Sequence, residues 1–272
     1  MRAEPTPSRL HSGWNAAAVR MRVYVTGAVS VEDGSCLLTE RALPGPLGRH
    51  FLACLAANHA RSIGHEEIAE ELWAGVPPAA WPASLKSIAS RVRAAMSFAG
   101  LDGAALLVGA PGVYQFRLPA DGWVDLDAAI TAIHRAETQL TRGAPRDAAA
   151  DAFVARLISA RPLLPGRSGP WLEHARRRLT DVRLRAYACS ARAQVALGNA
   201  EQAVRDAEAA VELAPLREPG WRLLMDAHAA AGDISSALDA YERCRTVLTD
   251  SLGVGPSATT RESHQALLAR TG

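Results

Sequence analysis

A repeat with a period of 34 residues constrains the fold of this 272-residue chain more than any other feature of its sequence. The motif Leu197-Gly198-Asn199 followed by Ala203 recurs as Ala231-Gly232-Asp233 followed by Ala237. Three further pairs share the spacing: Tyr187 and Trp221, Ala193 and Ala227, and Glu208 and Glu242. A short repeated unit cannot bury its apolar face alone, so neighbouring units must stack to form a core.

The period resembles the helix-turn-helix unit of tetratricopeptide repeats. Two repeats are clear, and a third, more degenerate one upstream is left open. Beyond Asp121 the chain is rich in alanine and has hardly any strand signal, and we expect helices over residues 125–140 and 144–164 to cap the stack. Residues 120–272 are therefore predicted to form a tetratricopeptide-like helical domain.

The first 120 residues have a different pattern. Valines at even spacing between residues 22 and 47 predict a small antiparallel sheet. Helices are predicted over residues 47–59 and 65–73, with four glutamates on the wet side of the second: Glu66, Glu67, Glu70 and Glu71. A third helix is predicted to begin around Pro82, and a hairpin follows with strands over 105–108 and 113–118.

The third helix has two contrasting faces. Its apolar residues recur with helical spacing: Leu85, Ile88, Ala89, Val92 and Met96. Cationic and hydroxyl side chains lie on or beside the opposite face: Lys86, Ser87, Ser90, Arg91 and Arg93. The predicted elements follow one another as a sheet, three helices and a hairpin. Because this is the order of a winged helix-turn-helix, we predict that fold over residues 21–119, with residues 1–20 as a flexible leader. The fold class is mainly α (α+β).

Several function classes lack their required residues. The four cysteines are widely spaced and no histidine has metal-ligand spacing, so neither disulfides nor a metal site are expected. Lys86 is the only lysine and follows Leu85, which excludes a phosphate-binding P-loop, and Ala69 replaces the second histidine of a zinc-protease motif. No apolar run approaches the ~20 residues of a membrane span. We expect no enzyme activity, no cofactor, no membrane association and a cytoplasmic location.

Short motifs across both predicted domains resemble those of the Streptomyces antibiotic regulatory proteins (SARPs), which join an OmpR-type winged helix to a bacterial transcriptional activation domain. In the first domain these are Met21-Arg22-Val23, Glu71-Leu72-Trp73, Ser90-Arg91-Val92-Arg93 and Pro111-Gly112-Val113-Tyr114. In the second they are Trp171-Leu172, Leu197-Gly198, Pro215-Leu216-Arg217-Glu218, Ala240-Tyr241 and Leu252-Gly253-Val254-Gly255-Pro256. Their shared order over residues 21–270 carries the resemblance.

The resemblance implies an activator that binds direct repeats in promoter DNA as a side-by-side homodimer. It also implies recruitment of RNA polymerase holoenzyme, through its σ, β and α subunits, to a secondary-metabolite (antibiotic) gene cluster. The operator and the pathway stay open.

The exposed face of the third helix supplies the candidate DNA-binding residues. Lys86, Ser87, Ser90 and Arg91 are expected to face the major groove and Arg93 a phosphate. The family's wing often has an arginine before its Pro-Gly, where this chain has Ala110, so minor-groove contact by the wing is in doubt. Tyr114 is expected to pack under the wing, with its hydroxyl reaching a phosphate.

The charge balance of the predicted winged-helix domain indicates that DNA binding depends on a few positioned cations and not on a large net positive charge. The chain has 30 basic and 28 acidic residues, and residues 22–118 contain eight of each sign. A neutral domain must neutralise phosphates with a few positioned cations. We therefore expect modest affinity for one repeat.

Alternative interpretations accompany several of these residues. Arg91 and Arg93 are also compatible with an ordinary solvated helix face. A second basic cluster consists of Arg176-Arg177-Arg178, Arg183 and Arg185. Its two interpretations are a solvated helix face and a surface that contacts DNA or a second protomer. Trp73, Trp81, Trp171 and Trp221 are expected to be packing anchors. The alternative function is an adaptor whose repeat domain binds a peptide or small ligand.

Overall fold

The predicted antiparallel sheet is present near the start of the described chain, with Val23 and Val31 in its strands, and a parallel fourth strand extends it. The computed structural model describes residues 21–269, so the predicted leader lies outside the described residues. The strand order is β3-β2-β1-β7. The strands are β1 (Met21–Tyr24), β2 (Ser30–Asp33), β3 (Cys36–Leu38) and β7 (Trp123–Val124). The first three are antiparallel, whereas β7 runs parallel to β1 and comes from beyond the predicted domain boundary.

Three helices and a hairpin follow this sheet in the predicted order. They are α1 (Gly45–Ala57), α2 (His65–Leu72) and α3 (Trp81–Phe98), then the short α4 (Gly103–Leu106), and the strands β5 (Leu107–Ala110) and β6 (Val113–Phe116). A two-residue strand, β4 (Ile63–Gly64), pairs with β6 and completes a second sheet of order β4-β6-β5. The predicted winged-helix architecture is confirmed.

Seven further helices complete the described chain and confirm the predicted helical repeat domain. They are α5 (Asp125–Thr141), α6 (Pro145–Ser159), α7 (Pro170–Ala196), α8 (Ala200–Leu213), α9 (Glu218–Ala230), α10 (Ile234–Leu252) and α11 (Ala258–Leu268). None of the helices within residues 21–269 has the length and apolar character needed to cross a membrane.

The 34-residue period has a direct structural cause. Ala203 in α8 and Ala237 in α10 occupy equivalent positions of their helices, and both are fully buried. Gly198 and Gly232 end the preceding helices with the same backbone angle, φ = +79°. Only glycine adopts this left-handed conformation without a steric penalty, so the period preserves a helix end as well as a packing site.

Several predicted elements have the wrong bounds: α1 spans residues 45–57 rather than 47–59, and β6 ends at residue 116 rather than 118. Residues 105 and 106 belong to α4 rather than to a strand, because the Asp102 carboxylate accepts a hydrogen bond from the Ala105 N–H at 2.9 Å and starts a helical turn. The helix predicted over 144–164 ends at Ser159, because Pro162 disfavours helical geometry at the residue before it. Leu163 instead forms a β-bridge with Thr26.

The two halves of the chain share a hydrophobic core. Buried residues of the first half of the chain form one cluster with seven residues from the second half: Val124, Leu126, Leu163, Leu164, Leu172, Ala175 and Leu179. At the edge of this cluster the buried Asp125 carboxylate accepts hydrogen bonds from the Val25 and Thr26 N–H groups and from the Thr26 hydroxyl, at 2.6–3.0 Å. Burial raises the pKa of Asp125, while these hydrogen bonds act in the opposite direction. The division at residue 120 stays a prediction, and contacts cross it.

A second buried carboxylate joins α2 to α7. Glu71 is 3% exposed and accepts hydrogen bonds from the backbone N–H groups of Trp171 (2.7 Å) and Leu172 (3.2 Å), while His50 Nε2 lies 2.7 Å away. These are the first N–H groups of α7, which have no partner inside their helix. The expectation that Glu71 lies on the wet side of α2 is therefore wrong. We call this contact the Glu71 cap.

The Glu71 cap depends on close approach of the two backbones. A Cβ atom added to Gly169 would lie 2.3 Å from Glu71 Oε1, so a side chain at this position would displace the carboxylate. Arg167 donates to the Leu72 carbonyl and places its Nε 3.4 Å from His50 Nδ1. The predicted packing role of the tryptophans is confirmed, since Trp221 is buried and Trp73, Trp81 and Trp171 pack against the shared core.

Glu71→Gln is expected to lower the free energy of unfolding by about 1–3 kcal/mol, because one acceptor oxygen is replaced by an amide that cannot accept an N–H. Urea denaturation measures this change. Glu70→Gln, on the exposed side of the same helix, is the matched control and should change stability by less than about 0.5 kcal/mol. Equal effects of the two substitutions would show that the cap is not needed.

Candidate nucleic-acid interface

Helix α3 presents its predicted polar face to solvent. It has 18 residues, and the apolar residues Leu85, Ile88, Ala89, Val92 and Met96 are all buried. Lys86, Ser87, Ser90 and Arg91 are exposed. The structure therefore places four of the six predicted contact residues on one open surface, which we call the α3 face.

The two cations of the α3 face are free to bind an external anion. Within residues 21–269, neither Lys86 nor Arg91 has a carboxylate at ion-pair distance. Arg91 Nε lies 3.4 Å from the Ser87 carbonyl one turn earlier, a long contact that leaves the guanidinium exposed. Since a free cation has no internal partner to give up, phosphate or base edges can bind it at low cost.

Arg93 is turned toward the hairpin rather than outward. Its Nε donates to the Leu107 carbonyl at 2.8 Å, and its guanidinium carbon lies 5.6 Å from the centre of the Tyr114 ring. A Cβ atom on Gly109 would lie 3.0 Å from Arg93 Nη2, so a glycine there leaves room for the guanidinium. Arg93 thus supports the wing through a hydrogen bond and a cation–π contact.

The sequence contained a signal for this role. Arg93 follows Ala89 by four residues and precedes Met96 by three, which places it at the edge of the apolar stripe and half-buried. Its Leu107 contact required the hairpin's position, which periodicity does not supply. Contact of Arg93 with a phosphate stays a prediction.

Tyr114 lies under the wing, as expected, and is 6% exposed. Its ring stacks on His65 with 4.7 Å between centroids and meets Phe51 edge-on at 5.5 Å. These contacts connect β6 to α1 and to the start of α2. Contact of the Tyr114 hydroxyl with a phosphate remains a prediction.

The wing tip carries no charge. Ala110, Pro111 and Gly112 are exposed, and Gly112 has φ = +76°. Gln115, which follows Tyr114 in β6, donates to the His59 carbonyl at 3.2 Å. The wing tip thus lacks the cationic side chain with which proteins commonly read the minor groove.

The acidic residues of α2 are less repulsive to DNA than their number suggests. Glu71 is buried in its cap, and Glu67 forms a bidentate ion pair with Arg61. The hydrogen bonds from Arg61 lower the pKa of Glu67, so it stays ionised but neutralised. Glu66 and Glu70 remain exposed.

Two of the five arginines in the α7 cluster, Arg176 and Arg185, have structural partners. Arg176 donates to the Leu163 and Leu164 carbonyls, and Arg185 pairs with Glu137. Arg177 and Arg178 are exposed. The solvated-face interpretation therefore does not describe the whole cluster, because part of it supports the fold.

Metal chemistry and thiol chemistry find little support in the described part of the chain. No group of three His, Cys, Asp or Glu side chains within residues 21–269 is arranged to bind a metal ion. Burial raises the pKa of Cys189 and of Cys244 to about 11, and that of Cys54 rises further for the same reason. These thiols are protonated at neutral pH.

Comparisons with known proteins match both halves of the chain. The sequence profile of the bacterial transcriptional activator domain matches residues 124–268. The transcriptional regulatory protein EmbR of Mycobacterium tuberculosis is 31% identical over 248 residues, which are 86% of this chain and 62% of EmbR. The regulatory protein AfsR of Streptomyces coelicolor is 30% identical over 256 residues, 91% of this chain and 24% of AfsR. The chain thus spans less than two thirds of either relative.

A solved structure shares the whole described architecture. Mycobacterium tuberculosis EmbR, in complex with a low-affinity phosphopeptide, superposes with a TM-score of 0.82 at 26% identity, over 92% of this chain and 65% of that one. The match includes the winged helix as well as the helical repeats. These findings confirm the resemblance to SARP-type regulators that the sequence motifs predicted.

Arg93→Ala is expected to lower the free energy of unfolding by about 1–2 kcal/mol, since the Leu107 carbonyl loses its donor and Tyr114 its cation. Thermal or urea denaturation measures the loss, and amide exchange should accelerate in β5 and β6. Arg91→Ala, two residues away and exposed, is the control and should be neutral in stability. Identical stability of both variants would remove the supporting role of Arg93.

Proposed function

The chain belongs to the bacterial transcriptional activator domain family of SARP-type regulators, and on this premise we propose that it is a sequence-specific DNA-binding activator. The observation that carries the proposal is the α3 face, where Lys86, Ser87, Ser90 and Arg91 are exposed together and, within residues 21–269, neither cation has a carboxylate at ion-pair distance.

The dimensions of α3 suit the major groove. Its 18 residues span about 27 Å at 1.5 Å per residue. The major groove is about 12 Å wide and admits one helix, so side chains on a single face can reach base edges. In winged helix-turn-helix proteins, the second helix of the motif takes this position.

Each residue of the α3 face has a chemical role in the proposal. The Arg91 guanidinium can donate two hydrogen bonds to O6 and N7 of one guanine. Lys86 supplies a compact charge for a base edge or a phosphate, and Ser87 and Ser90 can donate or accept. Arg93 and Tyr114 act mainly by holding the wing against α3, with phosphate contact as a secondary contribution.

Because the first domain has no net charge, its affinity for a single DNA repeat is expected to be modest. With eight cations and eight anions in residues 22–118, affinity must come from few phosphate contacts. We propose that two copies bind side by side on direct repeats and that RNA polymerase holoenzyme adds further contacts. The proposed targets are promoters of a secondary-metabolite cluster, reached in the cytoplasm where the chromosome lies.

An adaptor function for residues 120–272 alone is less well supported. In an isolated repeat domain, Leu126, Leu163, Leu164 and Leu172 would lose their packing partners in the first half of the chain. The N–H groups at the start of α7 would also lose the Glu71 cap. A module that acts independently is expected to cover its own core.

Arg91→Ala is expected to weaken binding to promoter DNA next to the protein's own gene by about 5–150-fold, since one good bidentate base contact contributes roughly 1–3 kcal/mol. Fluorescence anisotropy at fixed salt measures this loss, and discrimination against substituted guanines should fall with it. Arg146→Ala, an exposed arginine on α6, is the matched control. An unchanged affinity and specificity for Arg91→Ala would overturn the proposal.

Binding to one repeat and to two tandem repeats separates the proposed dimer from a tight monomer. The full chain is expected to bind tandem repeats more tightly than one repeat by at least tenfold at physiological salt. Lys86→Ala should lower the dependence of log affinity on log salt by about one per bound copy if Lys86 contacts phosphate. Tight binding of one copy to an isolated repeat would contradict the pairing.

A further inference from the structure

A cavity of about 380 Å³ lies between the two halves of the chain. Its first wall comes from α1, α2 and the turn between them, and its second from α5 and α7. We call it the interdomain cavity. Its volume is within the range of small-molecule sites, which is about 300–1,000 Å³.

The interior of the interdomain cavity is largely apolar. Ala57 contributes from the end of α1, Leu126 and Ile130 from α5, and Leu179 and Val182 from α7. Trp171 adds an indole that packs against the shared core. Such a lining accepts a ring or a hydrocarbon chain, and it gains the hydrophobic free energy of the surface that the guest buries.

Most charged residues at this cavity already have partners. Glu71 caps α7, Glu67 pairs with Arg61, and Asp127 Oδ2 lies 3.0 Å from His59 Nε2. These three carboxylates are held in internal contacts that a guest would have to break. They therefore do not select its charge.

The charged groups that remain free are mainly cationic. Arg178 and His174 line the cavity from α7 without an ion pair within residues 21–269, and Glu70 is the remaining acid. His174, Arg178 and Val182 follow each other at intervals of four residues, so they lie on one face of α7. A second hollow of about 330 Å³ shares this face and adds His134, Arg177 and the ion pair of Arg185 with Asp181.

We propose that the interdomain cavity binds a small acidic molecule with an apolar ring or chain. The apolar body lies against Ile130, Leu179 and Val182, and the acid group accepts hydrogen bonds from Arg178. A guanidinium can bind a carboxylate through two parallel hydrogen bonds, which selects an acid over an amide or an amine. His174 lies beside it as a second donor.

The site links ligand binding to the contact between the domains. Both walls must be in place for the cavity to exist, and Glu71 and Trp171 of the Glu71 cap belong to its lining. A molecule that binds only the assembled form stabilises that form by mass action. The inference concerns ligand binding and does not depend on the proposed DNA contact.

The anionic dye 8-anilinonaphthalene-1-sulfonate is a suitable probe for the full chain, and uncharged N-phenyl-1-naphthylamine is its matched analogue. We expect one dye per chain, displacement by decanoate, and at least tenfold weaker binding of the uncharged analogue. Arg178→Gln should weaken dye binding at least tenfold and leave the uncharged analogue unchanged. Arg146→Gln, away from the cavity, should bind like the wild type.

A second pair of variants locates the site. Ala57→Leu fills the cavity and should abolish dye binding, whereas Ala60→Leu adds the same bulk at an exposed position outside it. Circular dichroism and the unfolding midpoint of each variant verify that the chain is folded. Undiminished binding to folded Ala57→Leu would overturn the proposal.

Equal binding of both dyes by the wild type, or a preference for a cationic amphiphile through Glu70, would also overturn it. Arg91→Ala separates this inference from the proposed function, since it should lose DNA affinity and keep the dye. Loss of dye binding with intact DNA binding in Arg178→Gln would leave the DNA proposal standing.

Discussion

The Glu71 cap is the interaction on which the arrangement of the two halves depends. A carboxylate from the second helix of the winged domain supplies the acceptors that the first N–H groups of α7 lack. Such N–H groups carry partial positive charge, so a buried anion is stable there. Gly169 allows the approach, and Glu71 is only 3% exposed beside the shared core around Leu172. The winged helix is thereby fixed on the repeat domain.

The packing of the winged helix on the repeat domain also positions the α3 face. Helix α3 buries its apolar stripe against the same core, and Arg93 holds the wing beside it. The exposed Lys86 and Arg91 are therefore presented on a rigid support instead of a mobile loop. Pre-ordered side chains lose less conformational entropy on binding, which matters for a domain without net positive charge.

Much of the architecture was predictable from periodicity, because the relevant signals are local. The 34-residue repeat, the stripe of Leu85 to Met96 and the turn at Gly112 each depend on neighbouring residues. The misjudged features depend on distant partners. Glu71 is like its neighbours Glu67 and Glu70 in sequence, and only the N-terminus of α7, a hundred residues later, makes it a buried cap. Likewise, β7 joins the first sheet from beyond the predicted boundary, and Arg93 acquires its role from Leu107.

The most direct measurement of the central claim is methylation interference at guanine N7 in the bound promoter. If α3 reads the major groove through Arg91, N7 methylation at one guanine of each repeat abolishes binding of the wild-type chain. The same methylation leaves the residual binding of Arg91→Ala unchanged. Binding of the wild type that is insensitive to N7 methylation at every guanine would contradict recognition by the α3 face.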